Sequence, residues 1–216
     1  MATRDNILKR IRAANGRSAE ASFQEEQIAG RRLRSHDRGP LPRLDWEPAA
    51  RFRERCLAML STVDEVERLA DVPEAVARYL RGLDLPTSGV CWPELAGLDW
   101  VSAGLAFEGR PSRGDDMVGI TGAFCGIAET GTLMLLSGED WHATTSLLPE
   151  THVAVLPAAR ILRSMEDGWD LLRREHSRLP RQVNFVSGPS RTADIEMTLV
   201  MGAHGPFRVH VVLVNS

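Results

Sequence analysis

The feature that most constrains this chain is the alternation of strand and helix periods over its last third. Residues 152–156 form a short apolar run rich in β-branched side chains, and Leu162, Met165, Trp169 and Leu172 then recur at intervals of three and four, the spacing of one helical face. Residues 183–186 read as the next strand. A turn at Gly188, Pro189 and Ser190 is expected to open a further helix carrying Ile195, Leu199 and Val200 and closed by Gly202, before a final strand over 207–214. Parallel strands need a crossover of a dozen or more residues, usually a helix. The alternation therefore predicts an α/β fold, an open and mainly parallel sheet with helices on both faces.

The earlier sequence supplies the remaining elements. Phe52, Cys56, Met59, Leu60 and Val63 follow Pro48 at helical spacing, and Val76, Tyr79, Leu80 and Leu83 follow Pro73 in the same way, so two helices are expected ahead of the sheet. Residues 90–92, 100–103, 118–121 and 132–136 read as strands. At the start, Ile7, Leu8 and Ile11 share one face of a helix over 3–15, with Thr3 as its cap and Asn15-Gly16 as its stop. Residues 17–43 are polar and rich in Arg, Glu, Gln and Ser. This divides the chain into a helical arm and polar linker over 1–43 and one domain over 44–216, in keeping with about 150 residues per domain.

Composition removes whole classes of function. With 26 basic against 29 acidic residues the formal charge is −3, too little positive field to hold nucleic acid. Lys9 is the sole lysine, and no glycine precedes it in the spacing of a phosphate-binding loop. A lysine Schiff base is equally poorly served. Cys56, Cys91 and Cys125 fit neither a zinc nor an iron–sulfur spacing, and His142 and His152 fit no ligand motif, so no metal is expected in this chain. The odd thiol count, the lack of an apolar leader and the lack of a membrane span point to the cytoplasm.

Three glycine-marked segments could carry chemistry, since open α/β sheets bind ligands in the turns that leave their strands. In the first, Glu129 stands between the apolar run 124–128 and Thr130, Gly131 and Thr132. A carboxylate so placed suits a nucleophile or general acid/base, or an acceptor that fixes the turn through Gly131 or Thr132. The second runs from Gly188 through Ser190, Thr192, Asp194 and Glu196, where hydroxyls either cap the expected helix or bind an anion and the acids suit a first helical turn, a cation or a sugar hydroxyl. The third is Gly202-Ala203-His204-Gly205-Pro206, with His204 expected at a helix end. Glycines at 119, 122, 126 and 131 do not make the dinucleotide fingerprint, and no G-x-S-x-G elbow occurs.

These segments, in order, resemble the signature run of the LutC/YkgG family, built on the LUD (lactate-utilization) domain. The resemblance rests on Gly126-Ile127-Ala128-Glu129-Thr130-Gly131-Thr132, on Ser146-Leu147-Leu148-Pro149 with His152-Val153, on residues 188–196 and on residues 202–206. It is dense from about residue 115 to 215, and the opening Arg4-Asp5-Asn6-Ile7-Leu8 is similar too. It implies a fold of the sugar-phosphate isomerase and CoA-transferase group (NagB/RpiA/CoA transferase-like). It also implies a part in oxidising L-lactate to pyruvate beside LutA- and LutB-like partners that carry iron–sulfur clusters. Many relatives have an acidic residue shortly after the Gly-Ile-Thr strand, where this chain has Ala123-Phe124-Cys125, which leaves Glu129 as the local carboxylate.

Glu129 is thus the candidate catalytic residue. Thr130, Gly131, Thr132, Ser190, Thr192, Asp194, Glu196, His204 and Gly205 are the candidate binding residues, for a small organic acid or a phosphorylated or CoA ligand. The competing expectations are an independent enzyme acting on an acyl-CoA or sugar phosphate through Glu129, and a subunit that binds a small acid without reacting.

Overall fold

The computed structural model describes residues 2–16, 19–40, 42–192 and 200–215, and the chain divides into two compact units, Met1–Pro42 and Arg43–Ser216. The first unit holds two helices, α1 (Ala2–Ala14) and α2 (Ala19–Ser35). α1 follows the expected periodicity, with Ile7, Leu8 and Ile11 exposed. α2 is a correction, because the polar stretch after residue 17 is largely helical rather than a linker. Its Glu, Gln, Ala and Arg content is that of good helix formers even without a buried face.

The second unit is built on a six-stranded sheet of β1 (Thr62–Val66), β2 (Ser88–Cys91), β3 (Ala106–Gly109), β4 (Val118–Gly122), β7 (Thr151–Pro157) and β12 (Arg208–Val214). The order is β1-β12-β7-β4-β2-β3 and every pairing is parallel. β7 and β12 are interior strands and read as near-continuous apolar runs because both their faces are covered. Val153, Val155, Val212 and Val214 face α4 (Val72–Gly82), which presents Val72, Val76 and Leu80 to them. Ala154, Leu156, Val211 and Leu213 face the other way, toward Phe52 and Cys56 of α3 (Pro48–Ala58).

A second sheet of four strands, in the order β8-β5-β6-β9, shares that other side. Its members are β5 (Cys125–Ile127), β6 (Thr132–Leu136), β8 (Ile161–Leu162) and β9 (Val183–Val186). Leu133 and Leu135 turn inward, whereas Met134 and Leu136 turn outward against Leu172 of α6 (Met165–Glu175). Ser164 caps α6 by accepting from the Asp167 N–H while Asp167 accepts from the Ser164 N–H. The one-turn helix α5 (Thr144–Leu147) precedes β7. Among the described residues no helix is long and apolar enough to cross a membrane.

Several expected elements differ. α3 ends at Ala58 and Val63 belongs to β1, an edge strand; the apolar side chain of Val63 happens to fall at the spacing that continues the helical stripe. Residues 100–103 form turns, with Trp100 buried on the α4 side, and the strand is β3. β9 pairs antiparallel with β6 in the second sheet instead of entering the parallel one. Where the sequence predicts a helix after Ser190, the described residues on either side are strands, β10 (Arg191–Thr192) and β11 (Val200–Met201), paired antiparallel, and Ile195 and Leu199 of that expected helix fall outside the described residues. His204 accordingly sits in a turn between β11 and β12 and not at a helix end.

Candidate functional site

Two polar constellations stand out in the second unit. The first is where the structure places the 129–132 turn. Gly131, at φ +67°, lies so close to α3 that an added Cβ would come within 2.7 Å of the Arg55 backbone. Gly188, at φ +82°, approaches the same helix one turn later, where a Cβ would be 2.2 Å from the Met59 carbonyl. The two glycines thus seat both turns on the end of α3, since only a residue without a side chain permits this conformation and approach. Between the turns runs a chain of hydroxyls. Thr130 Oγ1 is 2.7 Å from Thr132 Oγ1, which is 2.6 Å from Ser187 Oγ.

Glu129 is half-buried, and its N–H donates to the Arg163 carbonyl. The Gly131 N–H donates to the Ile127 carbonyl, so the turn is closed by backbone and not by the Glu129 carboxylate. Arg55 Nε, on the helix beneath, is buried without a hydrogen-bond partner. Ser190, His204 and Gly205 meet elsewhere, at the neck of the β10–β11 hairpin. The Ser190 N–H donates to the Pro206 carbonyl, the Gly202 N–H to the Ser190 carbonyl, and the His204 N–H to Ser190 Oγ at 3.4 Å. Ser190 therefore ties the start of β10 to the turn after β11. Thr192 lies in β10, and Asp194 and Glu196 fall outside the described residues.

The second constellation was not evident from sequence. A cleft of about 280 Å³ opens over the C-terminal ends of β2, β4 and β7. Trp92 and Glu94 follow β2, Ala123 and Phe124 follow β4, and Arg160 follows β7. Leu136, Trp141, Glu175 and His176 close it from the second sheet and α6. The chain runs from β2 outward to β3 but from β4 in the opposite direction to β7, so the cleft lies at the reversal of strand order, where open α/β sheets receive ligands. Glu129 does not line it. The only sequence signal was an aromatic residue just past the end of each of two strands, Trp92 one residue after β2 and Phe124 two after β4.

The walls of this cleft are aromatic and fixed. The Trp92 and Trp141 rings are 6.3 Å apart at 34°, and His176 meets both Trp141 and Phe124 edge-on. Trp92 Nε1 donates to the His142 carbonyl, and Trp141 Nε1 to Glu94 Oε2 at 3.2 Å. Arg160 lies 4.8 Å over the Phe124 ring and donates through both terminal nitrogens to Glu175. That pairing holds the Glu175 carboxyl below the usual carboxylate range.

Other titratable groups are packed into the cores. His152 is fully buried, receives or gives a 2.8 Å hydrogen bond at Thr121 Oγ1, and has no partner for Nδ1. Burial pushes it down to about 4. His210 stacks on Tyr79 at 3.8 Å, bonds Thr62 Oγ1 and leaves Nε2 unpartnered, and burial depresses it likewise to about 4. Desolvation raises Cys56, Cys91 and Cys125 to about 12, 11 and 12. Among the described residues no group of three or more His, Cys, Asp or Glu side chains is arranged to hold a metal ion.

Comparison with known proteins places this architecture among relatives. Residues 98–214, more than half of the chain, match the LUD domain. Lactate utilization protein C of Bacillus subtilis (strain 168) is 36% identical over 130 residues, covering 55% of this chain and 54% of that protein. Lactate utilization protein C of Halalkalibacterium halodurans is 42% identical over 102 residues, covering 46% and 44%. The chain thus aligns with about half the length of the curated relatives it matches. The crystal structure of a DUF162 family protein from Deinococcus radiodurans superposes with a TM-score of 0.55 at 24% identity, over 81% of this chain and 99% of that one. At that identity the likeness carries the α/β fold alone.

Proposed function

The chain belongs to the LUD domain family, and we propose that it is a component of a lactate-utilization system that supports oxidation of L-lactate to pyruvate. The observation that carries this reading is the alignment of its LUD segment with relatives named lactate utilization protein C. Oxidation of lactate releases two electrons and two protons, from the hydroxyl and the α-carbon, and an acceptor must take them. We assign the acceptors to LutA- and LutB-like partner proteins bearing iron–sulfur clusters, because the thiols of this chain do not suit that task. Cys56, Cys91 and Cys125 lie in three separate cores and are held protonated, whereas iron is ligated by thiolate. Three unpaired cysteines also suit a reducing compartment, and we place the protein in the cytoplasm.

The test is genetic and biochemical together. Deleting the gene should abolish growth on L-lactate as sole carbon source, and restoring it should recover growth. Lactate-dependent dye reduction by the purified partner proteins should require this chain. Unchanged growth and an unchanged rate without it would overturn the reading.

A further inference from the structure

The cleft over β2, β4 and β7 has a chemistry of its own, which does not depend on the lactate reading. Its charges do not balance. Arg160 is committed to Glu175 through both terminal nitrogens, whereas Glu94 has no cationic partner among the described residues. Among the described residues Glu94 Oε2 accepts only from the Trp141 indole, a neutral donor, and Oε1 lies over Gly122 at the end of β4, where an added Cβ would be 2.5 Å away. The absence of a side chain at Gly122 is what lets the carboxylate rest there. A small carboxylic anion such as lactate would enter against an uncompensated negative charge and meet aromatic walls.

The shape narrows the ligand further. The indole N–H groups of Trp92 and Trp141 are occupied; Trp92, 4% exposed, lies at the floor, and the part-buried Trp141 and Phe124 rings form the walls, which offer ring surface in place of donors. The Phe124 face is already covered by the Arg160 guanidinium, so the rings form a slot and not a box closed around a compact cation. Flat rings gain dispersion and quadrupole contacts in such a slot. The volume of about 280 Å³ lies at the small end for ligand pockets, enough for one ring system.

We propose that this cleft binds a planar nitrogen heterocycle, its ring laid against Trp141 above the buried Trp92 and its N–H, amino or ring-cation edge turned to Glu94. Nucleobase, pyridinium and fused flavin-type rings share this chemistry. Adenosine, nicotinamide mononucleotide and riboflavin serve as their probes, with choline and L-lactate as comparison ligands.

The experiment is a titration of the full chain with each probe, read by thermal shift and by tryptophan fluorescence. One heterocycle should raise the melting temperature saturably and quench fluorescence. Glu94→Gln and Gly122→Ala should each weaken its binding about tenfold or more, equivalent to about 1.4 kcal/mol. Trp141→Phe should reduce the quench. Glu94 is exposed and Gly122→Ala need displace only the end of a flexible side chain, so both variants should melt near the parent temperature without ligand. Absence of saturable binding by all three heterocycles would overturn the proposal. So would stronger binding of choline or L-lactate, or heterocycle binding indifferent to Glu94→Gln.

Discussion

The joint on α3 and the cleft above β2, β4 and β7 are both polar, but their polar groups are used differently. At the joint, Thr130, Thr132 and Ser187 bond one another and the 129–132 turn is closed by backbone, leaving Arg55 Nε as the exception. In the cleft, Glu94 has an oxygen to spare and aromatic faces stand beside it. The first pattern fixes the approach of two turns to a helix. The second leaves charge and surface for something not part of the chain. Glycines and hydroxyls close together in sequence are therefore a sign of packing as readily as of chemistry, and the distinction lies in what each group bonds.

The contrast should be largest in stability. Gly188→Ala must force a Cβ to 2.2 Å from the Met59 carbonyl at a φ that side chains rarely adopt, and should cost about 4 kcal/mol or more in urea unfolding. A loss below about 1 kcal/mol would mean that the joint is pliable.

Acid tests the cores that carry both regions. His152 and His210 have folded values near 4 against an ordinary 6.5, so protonation favours the unfolded chain. Their contribution is complete above about pH 6.5 and is lost as pH falls toward 4, by about 3 kcal/mol each. Urea midpoints measured at intervals from pH 7 to 4 should fall throughout that window. A flat profile there would show that the imidazoles are solvated.

Smaller effects separate the two regions residue by residue. Thr132→Val keeps the shape but cuts the hydroxyl chain, and should cost about 1–2 kcal/mol in the same unfolding assay. Glu94→Gln should change stability by less than about 0.5 kcal/mol, because the side chain is exposed and its acceptor is retained. Equal losses from the two would remove the distinction.

What the sequence discloses follows from how local each signal is. α4, α6, β7 and β12 are legible because their apolar periods are complete within one segment. β1 is hidden because five residues with Asp64 and Glu65 among them gain strand character only from β12, nearly 150 positions away. Ser190 and Thr192 look like the start of a helix, yet they bond to residues 200–206 instead. The candidate site divides in the same way. Glu129 to Thr132 are contiguous and were legible, whereas Trp92, Phe124, Trp141, Arg160 and His176 come together only when two sheets and α6 pack. No period or spacing connects those five.

The most direct test of the central claim, that ligand chemistry resides in the cleft and the α3 joint is structural, is one paired measurement. The heterocycle-induced shift in melting temperature should be compared in Glu129→Gln and Glu94→Gln against the parent chain. The account predicts a parent-like shift in Glu129→Gln and a shift largely lost in Glu94→Gln. A shift abolished by Glu129→Gln and preserved in Glu94→Gln would contradict it and return the site to the 129–132 turn.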